Sequence, residues 1–209
     1  MMSVSTAKTG QHDAYWSQQL FACLEEMAAH DSNAVLLALV GVDVVETERH
    51  YPDDGLMFAN KRWRAFYHCH EAATQHENEH GHFHIFTDIG GEQWAHVAGL
   101  AIDMYGQPLR WFAVNRWVTD GPWLDRKQFL HQLYTSADNE QDSLLGRWLY
   151  ALLQLYQAEI SDLLKSRDER VRSYAHKLDL ASVLERQDIY TLATKEIELQ
   201  AMLEKHLLY

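Results

Sequence analysis

Seven of the 13 histidines fall between His68 and His96, a stretch where an even spread would place about two. His68 and His70 stand two residues apart, and His80, His82 and His84 repeat the same interval. Side chains at i and i+2 of a strand point to one face. Each set therefore aligns its imidazoles if both segments are extended. A neutral imidazole carries one lone pair and suits Zn, Fe, Cu and Ni, with Zn–N bonds of about 2.0–2.1 Å. Two histidines at i and i+2, with a third from the adjoining strand, form a common cradle for such an ion. Gathering five imidazoles brings no packing benefit, and their protonated forms repel one another.

The elements needed to position these rings are legible in the hydrophobic pattern. Period-two texture marks strands at about 61–70, 80–88, 93–104 and 109–118, joined by 71–79, Gly90-Gly91 and 105–108. A symmetric hairpin across 71–79 pairs residues whose numbers sum to about 150. It sets His68 opposite His82 and His70 opposite His80, with cross-strand Cβ atoms about 4.5–5.5 Å apart. A two-residue turn at Gly90-Gly91 puts Val97 opposite His84 and sends His96 to the other face; a one-residue shift returns it. Glu71, Glu77 and Glu79 adjoin the cluster as carboxylates for ligation or for orienting an imidazole. On the fourth strand, Trp111, Asn115, Trp117 and Thr119 alternate with Arg110, Phe112, Val114 and Arg116. Asn115 and Arg116 are candidates for substrate contact, and Arg116 equally for a salt bridge. Cys69 points away from its histidine neighbours and reads as core.

Around this sheet lie helices. Trp16, Leu20, Leu24 and Met27 share one face of a helix over 12–30. Residues 34–45 fit a short helix or a strand, and 46–60, with Pro52, Asp53, Asp54 and Gly55, reads as a loop. Asp125 and Gln128 form a capping-box pattern. A strongly amphipathic helix opens at Asp142 or Ser143 and runs through the charged stretch 165–172. Further helices fit 179–186 and 191–207. The expectation is an α+β fold, an antiparallel four-stranded meander flanked by an N-terminal helix and a C-terminal helical segment. It divides as 1–45 helical, 46–122 His-rich sheet and 123–209 helical, within a single domain.

Lys and Arg number 18 against 30 Asp and Glu, a net charge of −12 before histidine is counted. Such a balance argues against nucleic acid and anionic membranes as partners. The longest apolar run, Ala34 to Val42, is far too short for a span. The start Met1-Met2-Ser3-Val4-Ser5 shows no secretory pattern, and two cysteines, Cys23 and Cys69, make no disulfide framework. These features predict a cytoplasmic protein.

Tyr67-His68-Cys69-His70, Gly81-His82-Phe83-His84 and Asn115-Arg116-Trp117-Val118-Thr119 together resemble an uncharacterised bacterial family over about residues 50–165. That resemblance points to the middle region as the site and names no reaction. His80 to Phe86 is also similar to the histidine-triad motif of nucleotide hydrolases and transferases, which implies His82 as a nucleophile. His82-x-His84 followed by Asp88 is weakly similar to the first cupin motif, and only the chemical analogy of a His-rich metal site carries over.

The sequence therefore reads as a metal-binding protein and metal-dependent enzyme of the non-haem iron or zinc type. Its ligand candidates are His68, His70, His80, His82 and His84, with Glu79, Asn115 and Arg116 around them. The cofactor is a divalent transition metal, Fe or Zn, and the partner a small-molecule substrate, with a homodimer through the C-terminal helices as a further expectation. Two alternatives stay open: histidine-triad-like transfer by His82, and non-catalytic metal binding or interaction.

Overall fold

A computed structural model describes residues 3–70, 78–137, 141–176 and 179–207. The helix α1 (Ser3–Ala29) leads to the short α2 (Ala34–Ala38). Five consecutive strands follow: β1 (Tyr51–Phe58), β2 (Trp63–His68), β3 (Gly81–Asp88), β4 (Trp94–Ile102) and β5 (Pro108–Val114). Then come α3 (Arg116–Thr119), α4 (Arg126–Thr135), α5 (Leu144–Leu155), α6 (Gln157–Ala175), α7 (Leu180–Leu184), β6 (Thr191–Glu196) and α8 (Leu199–Leu207). The sheet is antiparallel throughout and its strand order is β1-β2-β3-β4-β5-β6. Among the described residues, no helix is long and apolar enough to cross a membrane.

The α+β class and the meander hold, but the sheet has six strands rather than four. Both additions lie at its edges. Pro52, Asp53, Asp54 and Gly55 have turn chemistry, yet they belong to β1. An edge strand tolerates proline and charge because one side of its backbone needs no sheet partner. Gly55 adopts φ +76°, and the pairing with β2 is irregular between Tyr51 and Leu56. At the other edge, Thr191–Glu196 pairs with β5 although its composition suits a helix. Backbone pairing to an otherwise open strand outweighs a weak local preference. The segment expected as one helix over 191–207 is thus a strand followed by α8.

The helix expected to run unbroken from 142 or 143 through 165–172 is instead two, α5 and α6, interrupted at Tyr156, whereas the capping signals act as read. Asn33 caps α2, its side chain accepting from the Val35 and Leu36 amides, which settles the ambiguous run after it as a helical turn. Asp125 and Gln128 complete both halves of a capping box on α4, and Ser143 caps α5.

One face of the sheet is the main core. Trp63, Ala65 and Tyr67 of β2, Phe83 and Ile85 of β3, Leu100 and Ile102 of β4 and Trp111 of β5 are buried there. Trp148 of α5 packs on Phe83 with ring centroids 6.1 Å apart, and Trp16 of α1 meets Tyr150 edge-on at 5.3 Å. Each large side chain removed from water contributes about 1.5–3 kcal/mol, so this face anchors the sheet. The alternate residues Arg64, Phe66, His68, His82, His84 and Phe86 face the opposite way. β3 is buried almost from end to end, so this second face is covered too. The chain just beyond β5, around Trp117, Val118 and Thr119, together with Tyr190, closes over it.

Candidate metal centre

β2 and β3 carry the site. His68 is the Cα partner of His82 in the ladder, as the symmetric hairpin predicts, and His84 lies two residues further along β3. The ring centroids of His68, His82 and His84 are 4.4, 5.0 and 5.1 Å apart. Each ring offers a nitrogen within 4.8 Å of the other two. None is more than 6% exposed, so desolvation strongly disfavours a charged imidazole here.

Hydrogen bonding specifies the tautomer of the central ring. Glu79 Oε1 lies 2.7 Å from His82 Nδ1, and its other oxygen accepts from the Arg110 guanidinium. A carboxylate only accepts, so His82 donates from Nδ1 and keeps a lone pair on Nε2. That nitrogen stands 2.7 Å from His68 Nε2. His68 must then donate the proton between them. Its own Nδ1 is buried without a hydrogen-bond partner among the described residues. Two inward-facing ring nitrogens thus share one proton at a position where a cation can replace it. His84 is linked outward, its Nδ1 3.0 Å from His96 Nε2.

The electrostatics favour neutral ligands. Burial, then the neighbouring His82, His70 and His50 rings, lower the His68 pKa to about 3. Burial lowers His82 as well, with Glu79 opposing, and lowers His84 well below the ordinary value. Burial acts to raise Glu79, but hydrogen bonds and charge from His82 and Arg110 outweigh it and leave a net lowering. All three imidazoles are therefore unprotonated near pH 7, the form that binds metal.

An aromatic wall closes the inner side. Phe112 meets His82 edge-on at 5.0 Å and His84 at 5.8 Å. Its ring lies directly over Gly99, where a Cβ would stand 2.1 Å from Phe112 Cζ. Gly99→Val is expected to expel Phe112 and to lower stability by about 2–3 kcal/mol in urea unfolding. An unchanged midpoint would show that the ring is free to move. On the outer side, His68 and His84 line a cleft of about 550 Å³, together with Glu48, His50, Arg64, Phe66, Phe86, Trp117 and Tyr190.

The family model of a domain of unknown function, DUF6969, matches residues 14–197. The chain belongs to this family. No curated protein and no solved structure matches it. The DUF6969 match spans all six strands and every residue of the imidazole group.

Within this DUF6969 fold the other candidate residues are dispersed. His70 sits at the rim, its ring 4.9 Å from His68 and 5.1 Å from His82, with Nδ1 bonded to the Glu48 carboxylate. His80 is not in the group. It precedes β3, and its Nδ1 lies 2.5 Å from the hydroxyl of Tyr67, a core-facing residue. The strand period that aligns His82 with His84 does not extend back to His80, so the five-ring patch loses that member. Asn115 is wholly buried and structural. Its oxygen caps α3 through the Arg116 amide, and its nitrogen donates to the Val183 carbonyl. β5 ends at Val114, which breaks the alternation expected to continue through Thr119. Arg116 pairs with Glu185. Cys69 is buried as a free thiol outside the imidazole group. Glu71, His76 and Glu77 lie outside the described residues.

Three participants escaped the sequence reading or were left aside by it. His96 joins because a bulge shifts the β3–β4 register between Ile85 and Phe86, which brings its ring 5.1 Å from that of His84. His50 stacks on His68 at 5.2 Å from a segment with no periodic signal. Arg110, opposite Ala101 as His82 is, anchors Glu79; two-step register counting across β3, β4 and β5 is the signal that finds it.

Proposed function

We propose that this DUF6969 chain is a metal-dependent enzyme whose ion is held by His68, His82 and His84, with zinc the best-fitting ion. The observation that carries the reading is the convergence of three buried, neutral imidazoles, the central one fixed by Glu79. A set of three histidines matches catalytic zinc, whereas the common iron triad requires a carboxylate among the ligands. The Glu79 oxygens are directed at His82 Nδ1 and Arg110, in the place of a ligand-orienting carboxylate. His70 stands at the rim as an outer candidate, held by Glu48.

An enzyme is favoured over a closed structural site because His68 and His84 border the cleft. The ion supplies Lewis acidity there, for polarising a substrate oxygen or activating water. Phe66, Phe86 and Trp117 exclude water from the cleft walls. His50 and Glu48, beside His68, are placed to take or return a proton. His82 does not border the cleft and its Nε2 faces His68, which disfavours a nucleophilic role.

Elemental analysis of protein purified without an affinity tag is expected to find about one equivalent of a first-row transition metal, zinc above iron. Cobalt substitution then gives a visible spectrum that azide perturbs if a ligand position is open. Metal retained equally by the His68→Ala/His82→Ala variant would overturn the assignment. A cobalt spectrum indifferent to azide would favour a closed, non-catalytic centre.

A further inference from the structure

The metal-centre reading leaves several residues of the cleft unused, among them Arg64, Thr119 and Asp120. Arg64 stands on β2 four residues before His68, on the same face of the sheet, and both line the cleft. Carboxylates outnumber cations in this chain, and six of its 11 arginines, Arg49, Arg110, Arg116, Arg147, Arg167 and Arg186, pair with Asp or Glu, while Arg62 and Arg126 donate to Gln132 and Ser161. Arg64 has no such partner among the described residues. Its guanidinium carbon lies 5.0 Å from the Phe66 ring centre, 5.8 Å from Phe86 and 4.6 Å from Trp94. Its Nε is buried and makes no hydrogen bond.

Rings attract a cation through their faces but accept none of its N–H groups in a conventional hydrogen bond. A guanidinium is planar and permanently charged, with a fork of donors that matches a carboxylate. Partial burial lowers the Arg64 pKa from its ordinary value, the mark of a cation given up by water and not repaid by a protein anion. The side chain is also held in place. Its Cγ passes within 2.9 Å of where a Cβ on Gly55 would stand, so the glycine of β1 is what lets Arg64 lie across that strand.

We infer that the cleft binds an organic carboxylate with an aromatic or apolar body, its anionic end on Arg64 and its body between Phe66, Phe86 and Trp117. The inference rests on the metal-centre reading only for the ligand's other end, which reaches His68 and His84. Four residues of strand separate Arg64 from His68, about 13 Å, so after side-chain reach the ligand spans on the order of 10 Å. A fork from guanidinium to carboxylate is specific for the ionised oxygen pair, and an amide of the same shape satisfies it poorly.

The test is equilibrium binding of 6-phenylhexanoate, its primary amide and inorganic phosphate to the full chain, zinc-loaded and metal-free. The carboxylate is expected to bind about 10- to 100-fold more tightly than the amide, the range of a charge-assisted hydrogen bond. Arg64→Gln abolishes that preference and leaves metal content unchanged; Arg64→Lys, which keeps the charge and loses the fork, retains part of it. Equal binding of acid and amide, or a preference that survives Arg64→Gln, overturns the inference. Phosphate displacing the carboxylate at equal or lower concentration replaces the carboxylate with a phosphoryl group and overturns it as stated. Failure of the metal reading shows separately, as a carboxylate preference in a protein that retains no metal.

Discussion

His82→Ala is expected to abolish tight metal binding, and Glu79→Gln to weaken it about 10- to 100-fold with all three imidazoles still present. The two outcomes have different causes. His82 lies between the other rings and supplies the nitrogen that faces His68 Nε2 at 2.7 Å. Without it, no third nitrogen lies within reach of the remaining pair in the described group. Glu79 acts one step out. Its carboxylate accepts from His82 Nδ1 and so holds the lone pair on Nε2, and its negative charge raises the basicity of the ring. A glutamine can present its oxygen to the same N–H, so the tautomer survives while the charge is lost.

The charge has a second client. Arg110 pairs with Glu79, and both side chains are largely buried. Removing one partner of such a pair leaves an uncompensated charge and costs about 3–5 kcal/mol. Glu79→Gln is therefore expected to lower stability as well as affinity. Zinc competition against a chromophoric chelator, at a temperature where circular dichroism shows the variant folded, separates the two. Unchanged zinc affinity in folded Glu79→Gln would leave the carboxylate with a purely structural role toward Arg110. Full affinity in His82→Ala would remove the centre from this patch.

What was legible in the sequence was what two periods and one turn determine. His82 and His84 share a face because they lie inside an uninterrupted strand. His68 meets His82 because the partner numbers of β2 and β3 sum to 150 throughout, the register that a symmetric hairpin predicts. Period two fails at its ends. His80 lies just outside β3 and turns to Tyr67, a core-side hydroxyl, which no spacing rule reports. The opposite error concerns His96: the bulge after Ile85 changes its side, and bulges carry no clear signature in Val97-Ala98. The edge strands were missed for a related reason. Pro52 and Gly55 are turn formers by local chemistry, but at an edge the sheet asks little of them. Arg64 was invisible as a functional candidate because its character lies in a missing partner, and absence of a carboxylate emerges only in three dimensions.

The buried rings also predict how the metal-free protein responds to acid. Burial, followed by the Arg167 charge and His82, lowers the His96 pKa to about 3, matching the value for His68. His82 is lowered too, and His84 lies well below the ordinary 6.5. In the unfolded chain each ring titrates near 6.5. Between about pH 6.5 and 3 the unfolded state therefore binds more protons than the folded one, and stability falls as pH falls. It is complete above 6.5, declines through this window, and stops declining below the folded values. At pH 5 one ring with a folded value near 3 costs about 2 kcal/mol, so His68 and His96 together remove about 4 kcal/mol. A domain of this kind has about 5–15 kcal/mol in total. Urea midpoints measured at pH 7, 6 and 5 are expected to fall steeply, with an uptake of at least about two protons on unfolding at pH 5. Carboxylates contribute little to a fall that begins between pH 7 and 6, because their ordinary values lie near 4. His96→Phe removes about one proton from that slope while leaving His68, His82 and His84 in place. A flat midpoint from pH 7 to 5 would mean that water reaches these rings and that they are not held neutral, which would weaken the case for them as ready-made ligands. In the folded chain these rings are held below their ordinary value, His68 at about 3, so added zinc meets little competition from protons down to pH 5 and stabilises the fold by a similar amount at pH 7 and at pH 5. A parallel displacement of the metal-loaded and metal-free curves distinguishes binding at buried imidazoles already held neutral from binding at freely solvated imidazoles, whose affinity falls as they take up protons below about 6.5.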